Sequence, residues 1–366
     1  GYYTMCSHFH QEHTQDVLDK RPLPEIPEFV TAFKNTGVNI VHLGEFHGPG
    51  HPRGPEDKRF LEQQTLFREC ARLSKGNFLL LPGEEPNNFF GGHWMNIFPK
   101  PVYWVMNRKP EQPFVTNDPV YGKVYRISNK EEMLRLLQTE NGMAWTAHAR
   151  TKGSTGFPDK YKDEAFYASP NFMGAAWKAL PADLSQPYLG KRALDLLDDM
   201  GNWGFHKNMI AEADLFRITP EDELYGHLNV NYLQLDRLPD FKDGWQPVLD
   251  AMQQGKFFVT TGEILLPSFT VNGKPAGAII AAAAKGVVKL KVSWTFPLNY
   301  VVIVSGDGEQ VYRQKIDLHQ TTAFGEKDFT FSTSLEGRTW VRLEMWDIAA
   351  NGAFTQCVWI KQAVAK

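Results

Sequence analysis

A change of periodicity near Thr261 constrains this 366-residue chain more than any other feature. Before it, short apolar runs alternate with helix-like stretches. After it, apolar and polar residues alternate with a period of two and helical patterning stops. Strand–helix alternation over residues 1–265 predicts parallel pairing and an α/β unit. About seven such units with near-continuous apolar strands fit a distorted, closed (β/α)7 TIM-like barrel better than a small open sheet. Residues 266–366 predict an antiparallel β-sandwich of the Ig-like kind: Val288, Leu290, Val292 and Trp294 alternate with Lys289, Lys291 and Ser293. The boundary is expected between Leu265 and Ser268.

Within the first part, "YYTMCSHFH", "VNIVHLGEFH", "NFLLLPGEE", "GHWMNIFP", "MAWTAHAR", "NMIAEADLF", "HLNVNYLQL" and "KFFVTTG" read as strands. "IPEFVTAFKNTG" reads as an amphipathic helix closed by Gly37. Residues 55–76, 128–142, 190–202 and 244–255 are further helical stretches. Pro99–Gly122 and Gly153–Pro187 read as long excursions, the second with a short helix near "FMGAAWKAL".

Composition excludes several classes. Net charge is −3, with no basic block, so there is no nucleic-acid footprint. The longest apolar run, "AGAIIAAAA", is too short for a membrane span. No secretory leader is visible; one removed upstream of Gly1 would make the protein extracytoplasmic, so location stays open. Cys6, Cys70 and Cys357 are three, widely spaced and without a Cys-x-x-Cys pair, which argues against a disulfide framework and against a thiolate zinc site. Oligomeric state is not legible.

In a barrel of parallel strands, chemistry gathers at the C-terminal strand ends. Those positions here carry His8 and His10, Glu45 and His47, Glu84 and Glu85, His93, His148 and Asp214. Side chains two apart on a strand share a face, so His8 and His10 can reach one ion. Each residue alone is more often structural, and His13 and His51 read as surface residues. Together, His8, His10, Glu85, His93, His148 and Asp214 form a nitrogen-and-oxygen donor set large enough for one or two divalent metal ions: zinc, manganese or iron.

At these residues the chain resembles the PHP (polymerase and histidinol phosphatase) metallohydrolases, and their carbaryl-hydrolase-like (CehA/McbA) branch in particular. "SHFH" is similar to the family's opening His-x-His; "LPGEEPNNFFGGHW" to its Gly-x-Glu and Gly-His motifs; "TAHAR" to its later histidine motif; and "EADLF" to its terminal acidic motif. "VLDAMQQGKFFVTTGEILLPSFTVNGKPAG" resembles the passage from barrel to sandwich. The resemblance implies a multinuclear metal centre and hydrolysis of phosphate esters, or in some members of other esters, carbamates or amides. Three positions depart from it. Phe46 stands where the family has an aspartate, Phe216 where it has a histidine, and Ala149 where it has a proline. The first two remove third-metal ligands, which favours one or two ions; Glu45 or His206 are the candidate substitutes.

The expected chemistry is hydrolysis by a metal-activated water. His8, His10 and Asp214 would hold one ion and His93 and His148 the other, with Glu85 bridging them. His47 is the candidate general acid. Arg150 would either neutralise an anionic substrate or form a rim salt bridge. The substrate would be a small-molecule or polymer ester. One alternative is amidohydrolase-like cleavage of carboxyl ester, carbamate or amide bonds, with Asp214 as base. Another is a decayed site kept for carbohydrate or polymer binding.

Overall fold

The computed structural model describes residues 1–10, 20–22, 24–47, 56–178, 186–188, 190–216, 218 and 229–362, with backbone alone at 46, 47, 56 and 57. His13 and His51 lie outside these residues. The described chain is a mixed α/β structure, rich in strands and with few helices.

The first part runs β1 (Tyr2–Phe9), α1 (Glu28–Asn35), β2 (Ile40–Leu43), β3 (Glu45–His47), α2 (Glu56–Leu73), β4 (Leu79–Leu81), β5 (Glu84–Pro86) and β6 (Trp94–Ile97). Then come β7 (Tyr103–Val105), β8 (Val115–Asp118), β9 (Gly122–Arg126), α3 (Lys130–Thr139), β10 (Met143–Thr146), α4 (Ala165–Ala168) and β11 (Phe172–Trp177). It closes with α5 (Lys191–Asn202), β12 (Asn208–Ala211), β13 (Val230–Gln234), α6 (Gln246–Gln253) and β14 (Phe257–Thr260).

Local sequence explains many of these elements. β2 and β4 are buried along their whole length, as continuous apolar runs in a covered parallel sheet should be. The Asn129 side chain caps α3 by accepting from the Glu132 amide, and the Glu132 carboxylate accepts in turn from the Ser128 amide. Gly37 ends the α1 region with a φ of 78°, which glycine adopts without cost.

The strands form two main sheets. In one, β13, β1, β2 and β4 are neighbours; β1, β2 and β4 are parallel, while β13 is antiparallel to β1. The other has the order β12-β11-β10-β6-β5-β3. "VNIVHLGEFH" and "NFLLLPGEE" therefore each give two strands, one per sheet, parted at Gly44 and at Pro82–Gly83.

Two expectations need correction. The hydrogen-bonded order does not close into a ring of parallel strands: β6 is antiparallel to β5 and β10, and β13 and β14 are antiparallel neighbours. β5 and β6 are joined by a short turn with no crossover helix, and a parallel pair needs a crossover. The short helix expected near "FMGAAWKAL" lies just before it, as α4, and "FMGAAW" itself is a strand: β11 is fully buried between β10 and β12. Its small residues allow that burial, since a Cβ on Gly174 would meet the Asn208 carbonyl oxygen at 2.3 Å. The Pro99–Gly122 excursion carries β7 and β8, which pair with β9 in a small sheet.

The second part comprises β15 (Ile264–Val271), β16 (Lys274–Pro275), β17 (Ile279–Ala281), β18 (Lys285–Trp294), β19 (Leu298–Gly306), β20 (Val311–Asp317), β21 (Gly325–Ser334), β22 (Trp340–Asp347), β23 (Gly352–Thr355) and β24 (Val358–Lys361). One sheet is β16-β15-β18-β21, antiparallel throughout. The strands around β22 continue the β1-containing sheet through a β14–β23 pairing. An apolar cluster including Phe269, Val288, Leu290, Val292, Leu343 and Met345 draws on both groups. The expected boundary at 265–268 falls inside β15. Cys6, Cys70 and Cys357 are buried free thiols.

Candidate metal centre

The six residues of the expected donor set come together in two groups that could each hold a metal ion. His8, His10 and Asp214 form one; Glu85, His93 and His148 form the other, and within each group the ligand atoms lie within 4.8 Å of one another.

The first group depends on an irregularity in β1. The pairing register of β1 with β2 shifts between Ser7 and Phe9, and His8 adopts a φ of 65°. Plain alternation is thus not what joins His8 to His10: a bulge turns His8, and His10 follows the end of the strand. Their Nε2 atoms lie 3.0 Å apart, and both lie 3.6 Å from Oδ1 of Asp214. Two donors about 2.1 Å from one ion, at tetrahedral or right angles, stand about 3.0–3.4 Å apart.

Glu85 lies between the groups. Its Oε2 is 3.3 Å from His8 Nε2 and 3.4 Å from His10 Nε2. Its Oε1 is 2.9 Å from His93 Nδ1 and 3.1 Å from His148 Nε2. Each oxygen therefore faces a different pair of histidines. Strand alternation points the neighbouring Glu84 elsewhere, to Arg59 and to the Gln63 amide at 3.1 Å.

Electrostatics match this crowding. Burial alone would push Glu85 up, but His8, His10 and His148 hold it far below the usual carboxylate range. Asp214 behaves alike: burial is outweighed by His10, His8, Lys178 and Lys152. Burial would push His8 down, and the carboxylates of Glu85 and Glu212 instead raise it well above its ordinary value. Burial pushes His42 down to about 3; Ser7 Oγ lies 3.1 Å from its Nδ1 and the Asn96 carbonyl 3.0 Å from its Nε2.

The donor set fits divalent ions of the zinc, manganese or iron type. One further observation points the same way. His8, His148 and Asp214 all hold left-handed backbone, at φ of 65°, 28° and 51°. Such strain concentrates at functional sites.

Other candidates fall elsewhere. Arg150 donates to Asp159 at 2.6 and 3.1 Å and to Asp199 at 2.6 Å, which is the salt-bridge alternative weighed for it. His206 stacks on Trp359, with centroids 4.2 Å apart, and takes no part in either group. Phe216 is half-exposed and stacks on the His10 ring at 4.3 Å. His47 ends β3 beside Pro86 in the pairing register; its side chain, like that of Phe46, lies outside the described ones.

Sequence reasoning passed over Glu212, Lys152 and Lys178. Glu212 is fully buried; its Oε2 accepts from His8 Nδ1 at 3.0 Å, and its Oε1 accepts from the His148 amide. Its place two residues before Asp214 was the available signal. Lys178 Nζ donates to Oδ2 of Asp214 at 2.6 Å, and Lys152 donates to the same oxygen.

No protein-family model matches the chain, and no curated protein matches it significantly. Among solved structures, one neighbour is a β-glucosidase from Listeria innocua in complex with isofagomine, at 10% identity and a TM-score of 0.19. The alignment takes in 99% of this chain and 46% of that one, so the chain spans less than half its length. Likeness at that level carries no argument about fold or function. No helix among the described residues is long and apolar enough to cross a membrane.

Proposed function

We propose that the chain is a metal-dependent hydrolase of ester bonds, a phosphoesterase of the PHP type, with a barrel over residues 1–265 and a β-sandwich over 266–366. The observation that carries this is Glu85, whose two oxygens face two separate pairs of histidines. A distorted barrel is supported by three bonds tying the continuation of β12 to β1: Ala213 N to Ser7 O, Leu215 N to His8 O, and His10 N to Leu215 O. The shared apolar cluster between the two C-terminal groups of strands supports the sandwich.

His8, His10 and Asp214 would hold one divalent ion and His93 and His148 a second, with Glu85 between them. Bound there, the ions would lower the pKa of water toward ~7 and polarise the scissile group. With an ion bound, the Glu212 carboxylate would hold the proton on Nδ1 of His8 and leave Nε2 to the centre. Metal analysis of the purified protein and of His10→Ala tests this, followed by a panel of phosphomonoester, phosphodiester, carboxyl ester and amide substrates. Wild type should carry one or two ions and hydrolyse a phosphate ester, and the variant should lose both properties. Unchanged metal content in His10→Ala would refute the assignment.

A further inference from the structure

Lys152 and Lys178 have no part in the chemistry above. Lys178 directly follows β11 and its side chain is only 12% exposed; Lys152, on the loop after His148, is 48% exposed. Both ammonium groups donate to one atom, Oδ2 of Asp214, while Oδ1 of that carboxylate faces His8 and His10. Two like charges sharing one carboxylate oxygen repel each other. Each ammonium has three donors, and Asp214 is the acceptor each one meets among the described residues.

We infer that Lys152 and Lys178 form an oxyanion-binding arm beside the His8, His10 and Asp214 group, and that the substrate presents a negatively charged oxygen group to it. This rests on the metal-hydrolase reading. With divalent ions at both groups, their charge already exceeds that of Glu85, Glu212 and Asp214, and the lysines add two more positive charges. A neutral carboxyl ester offers nothing to balance that excess. A phosphate group or a free carboxylate does, and it can accept the remaining ammonium protons in charge-assisted bonds. The half-exposed Lys152 would meet the group first, and the nearly buried Lys178 would hold it against the Asp214 side of the centre. The arm meets Oδ2 of Asp214 and not the Oδ1 that faces His8 and His10, so it can select substrates without displacing a metal ligand.

The test is calorimetric titration of the metal-loaded protein with inorganic phosphate and, separately, acetate. Wild type, Lys178→Met and Lys152→Met are compared after metal analysis of each. Both variants should keep wild-type metal content and bind the preferred anion about tenfold more weakly or worse, the loss of one charge-assisted hydrogen bond. The anion bound more tightly by wild type identifies the group. If Lys178→Met does not fold, the half-exposed Lys152→Met carries the comparison. Unchanged anion affinity in the folded variants, or no wild-type affinity for either anion, overturns the inference and leaves the metal reading standing. Loss of metal from the variants also overturns it, by assigning the lysines to holding Asp214 in place. A wild type that takes up no metal overturns both.

Discussion

Gly153 offers a sharp test of the two-group centre because its constraint comes from one ligand alone. A Cβ added there would lie 2.6 Å from both Cδ2 and Nε2 of His93 and 3.0 Å from its Cε1. Gly153 is not among the residues with positive φ, so alanine brings no backbone strain, and the cost falls on the imidazole. Ordinary contact begins near 3.4 Å, so the ring must retreat by about 0.8 Å. It is 28% exposed on its side chain and has room to move, but moving takes it off Glu85 Oε1, now at 2.9 Å. Ligand positions in a metal site tolerate about 0.2 Å, and a misplacement of about 1 Å costs about 100-fold in rate. Gly153→Ala should therefore lose the ion of the Glu85, His93 and His148 group, keep the other, and drop kcat/KM about 100-fold. Thermal unfolding of the metal-free protein should stay close to metal-free wild type, since the lost ion itself would lower the unfolding temperature. Gly44→Ala is the counterpart, since its Cβ would lie 2.7 Å from His8 Cδ2, and it should empty the other group first. Metal stoichiometry by plasma mass spectrometry together with steady-state kinetics reads both variants. A folded Gly153→Ala protein with full metal content and unchanged kinetics would refute the reasoning.

Two further outcomes are expected. Glu212→Gln keeps its size but weakens the hold on His8 Nδ1, so metal affinity should fall about 10- to 100-fold in competition with a chelator, and an unchanged affinity would remove Glu212 from its supporting role. His42 gives a pH signature: its folded pKa of about 3 lies below the unfolded value near 6.5, so the unfolded state takes up the proton first and stability falls as pH drops below 6.5. By pH 5 this amounts to about 2 kcal/mol. Urea unfolding of metal-free His42→Gln should show a flatter pH dependence than wild type, while the opposite contribution of the raised His8 is common to both proteins. Equal slopes would rule His42 out.

The sequence made the candidate ligands legible better than the way they meet. Histidines and carboxylates at strand ends stand out by position, and six of them converge. The bulge at His8 was not legible, because alternation assumes regular pleating and local sequence does not announce a register shift. β11 was missed because "FMGAAW" is short, apolar and small, and periodicity cannot separate a buried strand from a buried helix there. Antiparallel β6 escaped notice because strand direction depends on whether a connection crosses over or turns back. Glu212, Lys152 and Lys178 act on ligands from outside, and that relation exists only once distant segments meet. The alternating pattern after Thr261 was the clearest signal: β18 pairs in continuous antiparallel register with β21 from Lys285 to Trp294.

The left-handed backbone at positions 8, 148 and 214 also bears on which metals a descendant of this protein could come to prefer. Histidine, aspartate and asparagine tolerate that conformation better than most residues, and branched side chains tolerate it poorly. Nitrogen and oxygen donors can thus be exchanged among these three places at little backbone cost. Cysteine is not among the residues enriched in that conformation, so a thiolate-rich centre suited to softer ions gains no such help from the backbone. The handedness of three peptide units would thereby narrow the inorganic chemistry open to the proposed centre.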